Sequence, residues 1–146
     1  MAIDGIRDRL PGTSTLEVDV APSLPAVMVD GEAISTALLN LLDNALKYSP
    51  GEKHIVVRAC GAGDGFVQFA VSDNGIGIPV REQRRIFRRF YRVDRRLARE
   101  SGGVGLGLSI VQSIAKEHGG TVTVRSEPGE GSTFTLLVPR TRENAT

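Results

Sequence analysis

The chain lacks the features that would assign it to an oxidising compartment, a membrane or a nucleic acid. It has one cysteine, Cys60, so no internal disulfide can form, which favours a reducing compartment. No apolar run approaches the roughly 18 residues that a spanning helix needs, and the N-terminus is unlike a signal peptide. The formal net charge of +1 gives no overall attraction to nucleic acid. These absences predict a soluble, intracellular chain.

The length and composition indicate one globular domain. Hydrophobic residues make up 40% of the 146 residues and charged residues 24%, which are ordinary globular values. A chain of this length can bury a real core. We expect a domain over residues 15–140, between a loose N-terminal segment, 1–14, and a tail, 141–146.

Hydrophobic patterns predict two helices and five strands. Five short segments alternate apolar and polar residues, whereas two longer ones have helical spacing. One covered and one wet sheet face predict an α+β fold, a two-layer α/β sandwich with helices on one face of a mixed, mostly antiparallel sheet. The predicted strands are 16–20, 54–60, 66–72, 121–125 and 133–138, and the predicted helices run from Asp30 to Ser49 and over 106–118.

The first predicted helix carries two asparagines one turn apart. Asparagine is a poor helix former, so this pair needs a reason beyond propensity. Amide oxygens can bind Mg²⁺, which also keeps substrate phosphates in its shell. A solvated polar face explains the same pattern, and this helix alone does not decide between them. Four residues share an arc of roughly 100° opposite the apolar face: Asn40, Asn44, Lys47 and Tyr48.

Asp73 continues the alternation of the third predicted strand and points to its apolar side. A buried carboxylate needs a hydrogen-bond donor. The exocyclic amine of adenine is a fitting one, and such pairing rejects an analogue without the amine by roughly 10⁴-fold. The following glycines, Gly75 and Gly77, allow close backbone approach to a flat ligand, over which Ile76 and Ile78 can close. A plain Asp-Asn-Gly turn is the alternative.

Alternating glycines lead into the second predicted helix. Gly103, Gly105 and Gly107 leave backbone amides free, next to the positive end of the helix, to meet an anion. This pattern predicts a phosphate-binding loop. A dinucleotide fingerprint does not fit, because it requires a preceding strand and a glycine where Leu108 stands. A P-loop does not fit either, because its Gly-Lys-Ser/Thr sequence is absent.

Five motifs, taken in order, resemble the N, G1, F, G2 and terminal glycine boxes of sensor histidine kinases. They cover about residues 15–139. The resemblance is to their catalytic ATP-binding domain, a GHKL (Bergerat-type) domain of the superfamily that includes gyrase and MutL ATPases. The motifs are Asn40-x-x-x-Asn44-Ala45-x-Lys47-Tyr48, Asp73-x-Gly75-x-Gly77, Ile86-Phe87-x-x-Phe90-Tyr91-Arg92, Gly103-x-Gly105-x-Gly107-Leu108 and Gly131-Ser132-Thr133-Phe134.

The resemblance implies ATP and Mg²⁺ as cofactors and a role for each matched residue. Asn40 and Asn44 are the implied magnesium ligands and, with Lys47, the implied catalytic residues. Tyr48 is implied to lie on the adenine face and Asp73 to accept from the adenine amine, while Phe87 and Phe90 anchor a lid over about 91–105. The implied nucleotide contacts are Asn44, Lys47, Tyr48, Asp73, Gly75, Gly77, Ile78, Arg92, Gly103, Gly105, Leu106, Gly107, Leu108 and Thr133.

One position bears on the reaction. In the related ATPases a glutamate four residues before the metal-binding asparagine activates water. Here that position is Asn40, which cannot act as a general base, so we expect slow hydrolysis. Phosphoryl transfer would then depend on positioning and charge neutralisation, with the nucleophile supplied from elsewhere.

The resemblance also implies partners. The nucleophile is a histidine on a separate dimerisation domain, and a response regulator acts downstream. We expect neither His54, which enters a strand, nor His118, which ends a helix, to be the phosphoacceptor. The implied location is cytoplasmic, without membrane contact by this domain, although such kinases are often anchored in the inner membrane.

Nine arginines lie between Arg81 and Arg99. A continuous basic amphipathic helix is one interpretation, and a short helix followed by a lid is the other. A nucleic-acid surface is a rival hypothesis. The small net charge and the lack of interleaved stacking aromatics disfavour it, so we expect no nucleic-acid partner. Arg88 also departs from the resembled family, which usually has an acidic residue at this position.

Two other functions stay open. One is a nucleotide-binding regulatory module that senses ATP without transferring phosphate. The other is an anti-sigma serine kinase of related fold, which the histidine-kinase-like segment 87–92 disfavours.

Overall fold

The computed structural model describes residues 14–21, 31–47, 52–63, 65–88 and 107–139. Within these ranges, two α-helices and five β-strands form the regular structure, together with two short 3₁₀ turns. In chain order the elements are β1 (Thr15–Val20), α1 (Gly31–Lys47), β2 (His54–Ala62), β3 (Phe66–Asp73), the 3₁₀ turns Val80–Glu82 and Arg85–Phe87, α2 (Gly107–Glu117), β4 (Thr121–Glu127) and β5 (Gly131–Pro139).

The five strands form one mixed sheet in the order β1-β2-β3-β5-β4. β1 runs parallel to β2, and the other three neighbouring pairs are antiparallel. The parallel pair requires a crossover, and α1 lies between β1 and β2 in the sequence. β2 and β3 form a hairpin, and so do β4 and β5. The predicted sheet type, mixed and mostly antiparallel, is confirmed.

Alternation along the strands separates a covered face from an outer face. On β3, Val67 and Val71 are buried, and they stand opposite Val138 and Phe134 of β5, which are also buried. The helices cover this side: α1 packs on β3, and α2 packs on β4 and β5. The two-layer prediction, with helices on one face, is therefore confirmed.

α1 forms because its apolar residues recur at helical spacing and its ends carry suitable charges. Glu32 lies in the first turn and Lys47 in the last, where each complements the helix dipole. Its apolar stripe packs on the sheet and on α2. The buried residues of α1 are Ile34, Ala37, Leu41, Leu42, Ala45 and Leu46.

The basic segment begins with two 3₁₀ turns rather than one continuous helix. The backbone of Arg88 is extended, with φ −75° and ψ 144°, so no helix runs through this residue. Ile86 is buried, and the Phe87 ring meets Phe134 edge to face at a centroid distance of 6.3 Å. Of the two interpretations, a continuous amphipathic helix is wrong for 81–88, because Ile86 and Phe87 turn inward to the core. Residues 89–106 lie outside the described ranges.

Element boundaries differ from the predictions by one or two residues at most ends. β2 continues to Ala62 and β4 to Glu127, because their partner strands extend the hydrogen-bonded register. The predicted first-helix cap, Asp30, and the stop at 49–51 lie outside the described residues. Among the helices of the described ranges, none has the length and apolarity that crossing a membrane requires.

Leu41 and Leu39 of α1 provide a matched test of the core. Leu41 is 0% exposed, whereas Leu39 is 36% exposed on the same helix. We expect Leu41→Ala to lower the free energy of unfolding by about 2–5 kcal/mol, because it removes buried methyl groups and leaves a cavity. Leu39→Ala should cost less than about 1 kcal/mol. Urea denaturation measures both, and equal losses would contradict this packing.

Candidate functional site

Asp73 ends β3 on the covered face of the sheet. It lies opposite Ser132 of β5, which in turn lies opposite Ser126 of β4. Both serines are buried, and together the three residues form a polar row at the end of an otherwise apolar layer. The alternation of Val67, Phe69 and Val71 therefore correctly predicted the direction of this carboxylate.

Two backbone N–H groups hold one oxygen of the Asp73 carboxylate. Oδ1 accepts from the N–H of Gly75 at 2.8 Å and from that of Ser132 at 3.3 Å. Burial raises the pKa of Asp73 above its ordinary value, and these two hydrogen bonds lower it in part. Oδ2 accepts no hydrogen bond from the residues that the structure describes. The second oxygen is thus an oriented, partly desolvated acceptor.

The segment after Asp73 packs against the turn between β4 and β5. Gly77 has φ +74°, and a Cβ there would overlap the carbonyl of Glu127. The carbonyl of Ile76 accepts from the N–H of Gly129 at 2.8 Å. Gly77 therefore permits close approach of protein backbone, a role that the sequence did not predict. Gly75 is buried and contributes its N–H to Asp73.

Ile78 is held by its backbone. Its N–H donates to Ser126 Oγ at 2.7 Å, and its carbonyl accepts from Gln83 Nε2 at 3.0 Å. Its side chain is buried and belongs to the hydrophobic core. Ile78 is thus anchored in the core, whereas Ile76 is only partly buried.

Gly131 brings the start of β5 against the end of β3. Its φ is +111°, and a Cβ at this position would overlap the carbonyl oxygen of Asp73. A side chain is therefore excluded twice, by backbone conformation and by space. This close approach places the N–H of Ser132, the next residue, within reach of Asp73 Oδ1.

Thr133 alternates with Ser132 along β5, so its side chain is not part of the Asp73 row. Its hydroxyl bonds that of Ser72 at 2.8 Å, and both residues lie on the outer face, one register position from Asp73 and Ser132. Thr133 stays a predicted nucleotide contact, whereas its neighbour Ser132, which the prediction did not name, shares the face of Asp73. The two-residue period of β5 contained this signal, because Phe134 is a core residue and Ser132 shares its face.

Asn40 joins the two helices. Its Nδ2 donates to the Thr36 carbonyl at 2.8 Å, which fixes Oδ1 as the oxygen that faces α2. A Cβ added to Gly107, the first residue of α2, would lie 3.1 Å from that oxygen. The first asparagine of the predicted metal pair thus presents its amide oxygen to the start of the helix that follows the glycine-rich segment.

Asn44 and Lys47 continue the same side of α1. The Asn44 side chain is partly buried and makes no hydrogen bond to another residue of the described ranges. Lys47 Nζ lies 2.9 Å from Asp43 Oδ2, with the two side chains 25% and 34% exposed. The lysine is therefore in an ion pair but accessible to an anion.

These amide oxygens suit the metal that the sequence suggested. Within the described residues, no three His, Cys, Asp or Glu side chains come together as a metal site. Amide oxygens are hard ligands, and Mg²⁺ keeps several waters and phosphate oxygens in its shell. Asn40 and Asn44 thus fit Mg²⁺ held jointly with a phosphate ligand rather than by a protein cage.

Of the contacts predicted for the glycine-rich segment and the start of α2, Gly107 and Leu108 lie within the described residues. Leu108 is partly buried and packs against the core, next to Gly107. The remaining expected contacts and one expected lid anchor lie outside the described residues: Tyr48, Arg92, Gly103, Gly105, Leu106 and Phe90.

A cavity of about 310 Å³ lies at the β4–β5 end of the sheet. None of the described residues that line it belongs to α1 or α2. Glu127 raises the pKa of the exposed Glu130 through a hydrogen bond and through its charge. The lining residues are Asp73, Arg125, Ser126, Glu127, Glu130, Gly131, Ser132 and Thr133.

Both histidines make hydrogen bonds at the ends of elements. His118 Nδ1 lies 2.8 Å from the Ile114 carbonyl, to which it donates, at the end of α2. His54 Nδ1 lies 2.9 Å from Thr15 Oγ1, between β1 and β2. These contacts give each histidine a structural role.

Similar proteins are sensor kinases. Sensor-like histidine kinase SenX3 of Mycobacterium tuberculosis is 46% identical over 121 residues, which cover 82% of this chain and 29% of that protein. The structure of the mycobacterial sensor histidine kinase MprB is 31% identical, with a TM-score of 0.81 over 95% of this chain and 91% of that one.

A further similar structure is that of full-length ShkA in complex with AMPPNP. It is 30% identical, with a TM-score of 0.76 over 91% of this chain and 27% of ShkA. The chain thus spans about three tenths of the SenX3 and ShkA chains. These structures confirm the predicted fold class. Residues 29–142 match one protein family. The chain belongs to the histidine kinase-, DNA gyrase B-, and HSP90-like ATPases.

Proposed function

We propose that this chain is the ATP-binding catalytic domain of a sensor histidine kinase, and that it donates the γ-phosphoryl group of ATP to a histidine on a separate dimerisation domain. The observation that carries the proposal is the Asp73 carboxylate, oriented through Oδ1 with Oδ2 left to accept. Membership of the ATPase family, the likeness to SenX3 and the AMPPNP complex of ShkA support it.

Asp73 supplies base recognition. The exocyclic amine of adenine donates one hydrogen bond to Oδ2, in a partly desolvated site where an unmade bond is costly. Guanine presents a carbonyl at the corresponding position and would face the carboxylate with an acceptor. The site therefore selects adenine by matching a donor to an acceptor.

The asparagines and Lys47 supply phosphate positioning. Mg²⁺ held by Asn40 and Asn44 would neutralise the charge on the triphosphate. Lys47 lies one turn beyond Asn44 and adds a positive charge near the terminal phosphates. The N-terminus of α2, where Gly107 meets Asn40, adds backbone N–H groups. Tyr48, Arg92, Gly103, Gly105 and Leu106 stay proposed contacts on sequence grounds.

Asn40 also limits hydrolysis. An amide cannot take a proton from water, and the Nδ2 of Asn40 is already bonded to Thr36. The domain therefore retains ATP until an acceptor nucleophile arrives. We infer that the acceptor domain and a response regulator are its partners and that the domain acts in the cytoplasm.

Phosphoryl transfer in trans is the direct test. We expect the chain, mixed with Mg²⁺, γ-labelled ATP and a separately produced histidine-bearing dimerisation domain, to label that histidine but not itself. The acid lability of the product identifies phosphohistidine. Tight ATP binding without transfer would favour the regulatory module, and label on a serine of a partner would favour the anti-sigma kinase.

Asn44→Ala tests the metal role. We expect ATP affinity in the presence of Mg²⁺ to fall about tenfold or more, equal to roughly 1.4 kcal/mol, because one metal ligand is lost. Affinity measured in EDTA should change little, and the melting temperature should stay close to that of the wild type.

Asn44→Asp is the matched control, because it keeps an oxygen at the same position. It should retain more of the Mg²⁺-dependent affinity than Asn44→Ala. Isothermal titration with and without Mg²⁺ measures both variants, and an unchanged titration for Asn44→Ala would remove Asn44 from the site.

The raised pKa of Asp73 predicts a pH dependence of base recognition. Oδ1 accepts two N–H groups, so a proton binds at Oδ2 and abolishes its role as acceptor. Since burial raises the pKa above 3.8, recognition weakens as pH falls toward that raised value, earlier than an ordinary aspartate would allow. The measurement is the ATP affinity divided by that of purine riboside triphosphate, which lacks the amine. A ratio independent of pH down to about 4 would contradict it.

A further inference from the structure

A ring of hydrogen bonds encloses the segment that follows Asp73. Gly75 N–H and Ser132 N–H both donate to Asp73 Oδ1. Ser132 Oγ lies 2.8 Å from Ser126 Oγ, and Ile78 N–H donates to that same Ser126 oxygen at 2.7 Å. The ring thus passes from β3 through the 75–78 segment to β4 and returns through β5.

The Ser126 hydroxyl fills every hydrogen-bonding position it has. Its only proton goes to the Gly131 carbonyl at 2.8 Å, because a carbonyl can only accept. Ser132 must therefore donate to Ser126, and the N–H of Ile78 uses the remaining lone pair. Ser126 is only 8% exposed, so its hydroxyl is largely shielded from solvent. Each bond consequently fixes the direction of the others.

Gln83 provides a second link between Ile78 and Ser126. Its Nε2 donates to the carbonyl of Ile78 and to that of Ser126, both at 3.0 Å. Ile78 is therefore joined to Ser126 by its N–H directly and by its carbonyl through Gln83. Gln83 lies between the two 3₁₀ turns, so it connects the start of the arginine-rich segment to β4.

We propose that Ser126 and Gln83 are positioning residues for adenine recognition, which hold the 75–78 segment against β4 so that Asp73 stays aimed at the adenine amine. This inference rests on the proposed function, in which Asp73 reads that amine. Neither residue reaches the ligand in this role. They act on Gly75 and Ser132, the two donors that orient the carboxylate.

A purely structural role for the ring is the competing explanation. Ser126→Ala leaves buried partners unpaired and lowers stability whether or not Asp73 reads a base. The ratio of ATP affinity to purine riboside triphosphate affinity separates the two roles. A general loss of stability affects both ligands equally and leaves this ratio unchanged, whereas a misdirected carboxylate lowers it.

The experiment compares four variants of the chain by titration with both nucleotides and Mg²⁺. We expect Asp73→Asn to lower the ratio at least about tenfold and Ser126→Ala and Gln83→Met about fivefold each, the effect of losing one hydrogen bond. Gln83→Met keeps the length of the side chain and cannot donate. Thr123→Ala, which removes an exposed hydroxyl on the same strand as Ser126, should leave the ratio at its wild-type value.

The outcomes are distinguishable. If Asp73→Asn lowers the ratio while Ser126→Ala and Gln83→Met keep it, the positioning role is overturned and the proposed function stands. If Asp73→Asn keeps the ratio, base reading by Asp73 and the positioning role are both overturned. Should Ser126→Ala fail to fold, Gln83→Met, whose bonds are only partly buried, decides the question on the same ratio.

Discussion

The orientation of one carboxylate depends on two backbone N–H groups from different segments. Gly75 approaches Asp73 from the following loop and Ser132 from the neighbouring strand, and both bind Oδ1. Since burial raises the pKa of this group, the carboxylate is less stable here than in water, and these bonds only partly offset that effect. Protonation would stabilise the fold and weaken the acceptor. The protein thus accepts a local cost in stability for a directed acceptor.

The sequence predicted the fold well because its information is periodic. Alternation set the strands and their covered face, and helical spacing set α1 and α2. The direction of Asp73 followed from the same period. The structure of the arginine-rich segment, 81–99, was harder to predict. Its residue pattern fits both a continuous helix and a short helix followed by a lid. Burial of Ile86 and the contact of Phe87 with Phe134, which are tertiary effects, decided against a continuous helix over 81–88.

The site was less predictable than the fold, because several of its contacts join residues that are distant in sequence. The motif match named Thr133 as a nucleotide contact but did not name Ser132, which lies opposite Asp73 and donates its N–H to the carboxylate. Ser126 and Gln83 belong to no recognised motif, and their importance appears only when the 75–78 segment packs on β4. Gly77 was expected to allow close approach of a ligand. In the structure it allows close approach of the Glu127 carbonyl.

Gly131 limits which substitutions this protein can accept at the start of β5. Any larger residue there would push the start of β5 away from β3 and move the N–H of Ser132 away from Asp73. Because no side chain fits at position 131 without moving β5, this glycine constrains the direction of the Asp73 carboxylate and, under the proposed function, the preference for adenine over guanine.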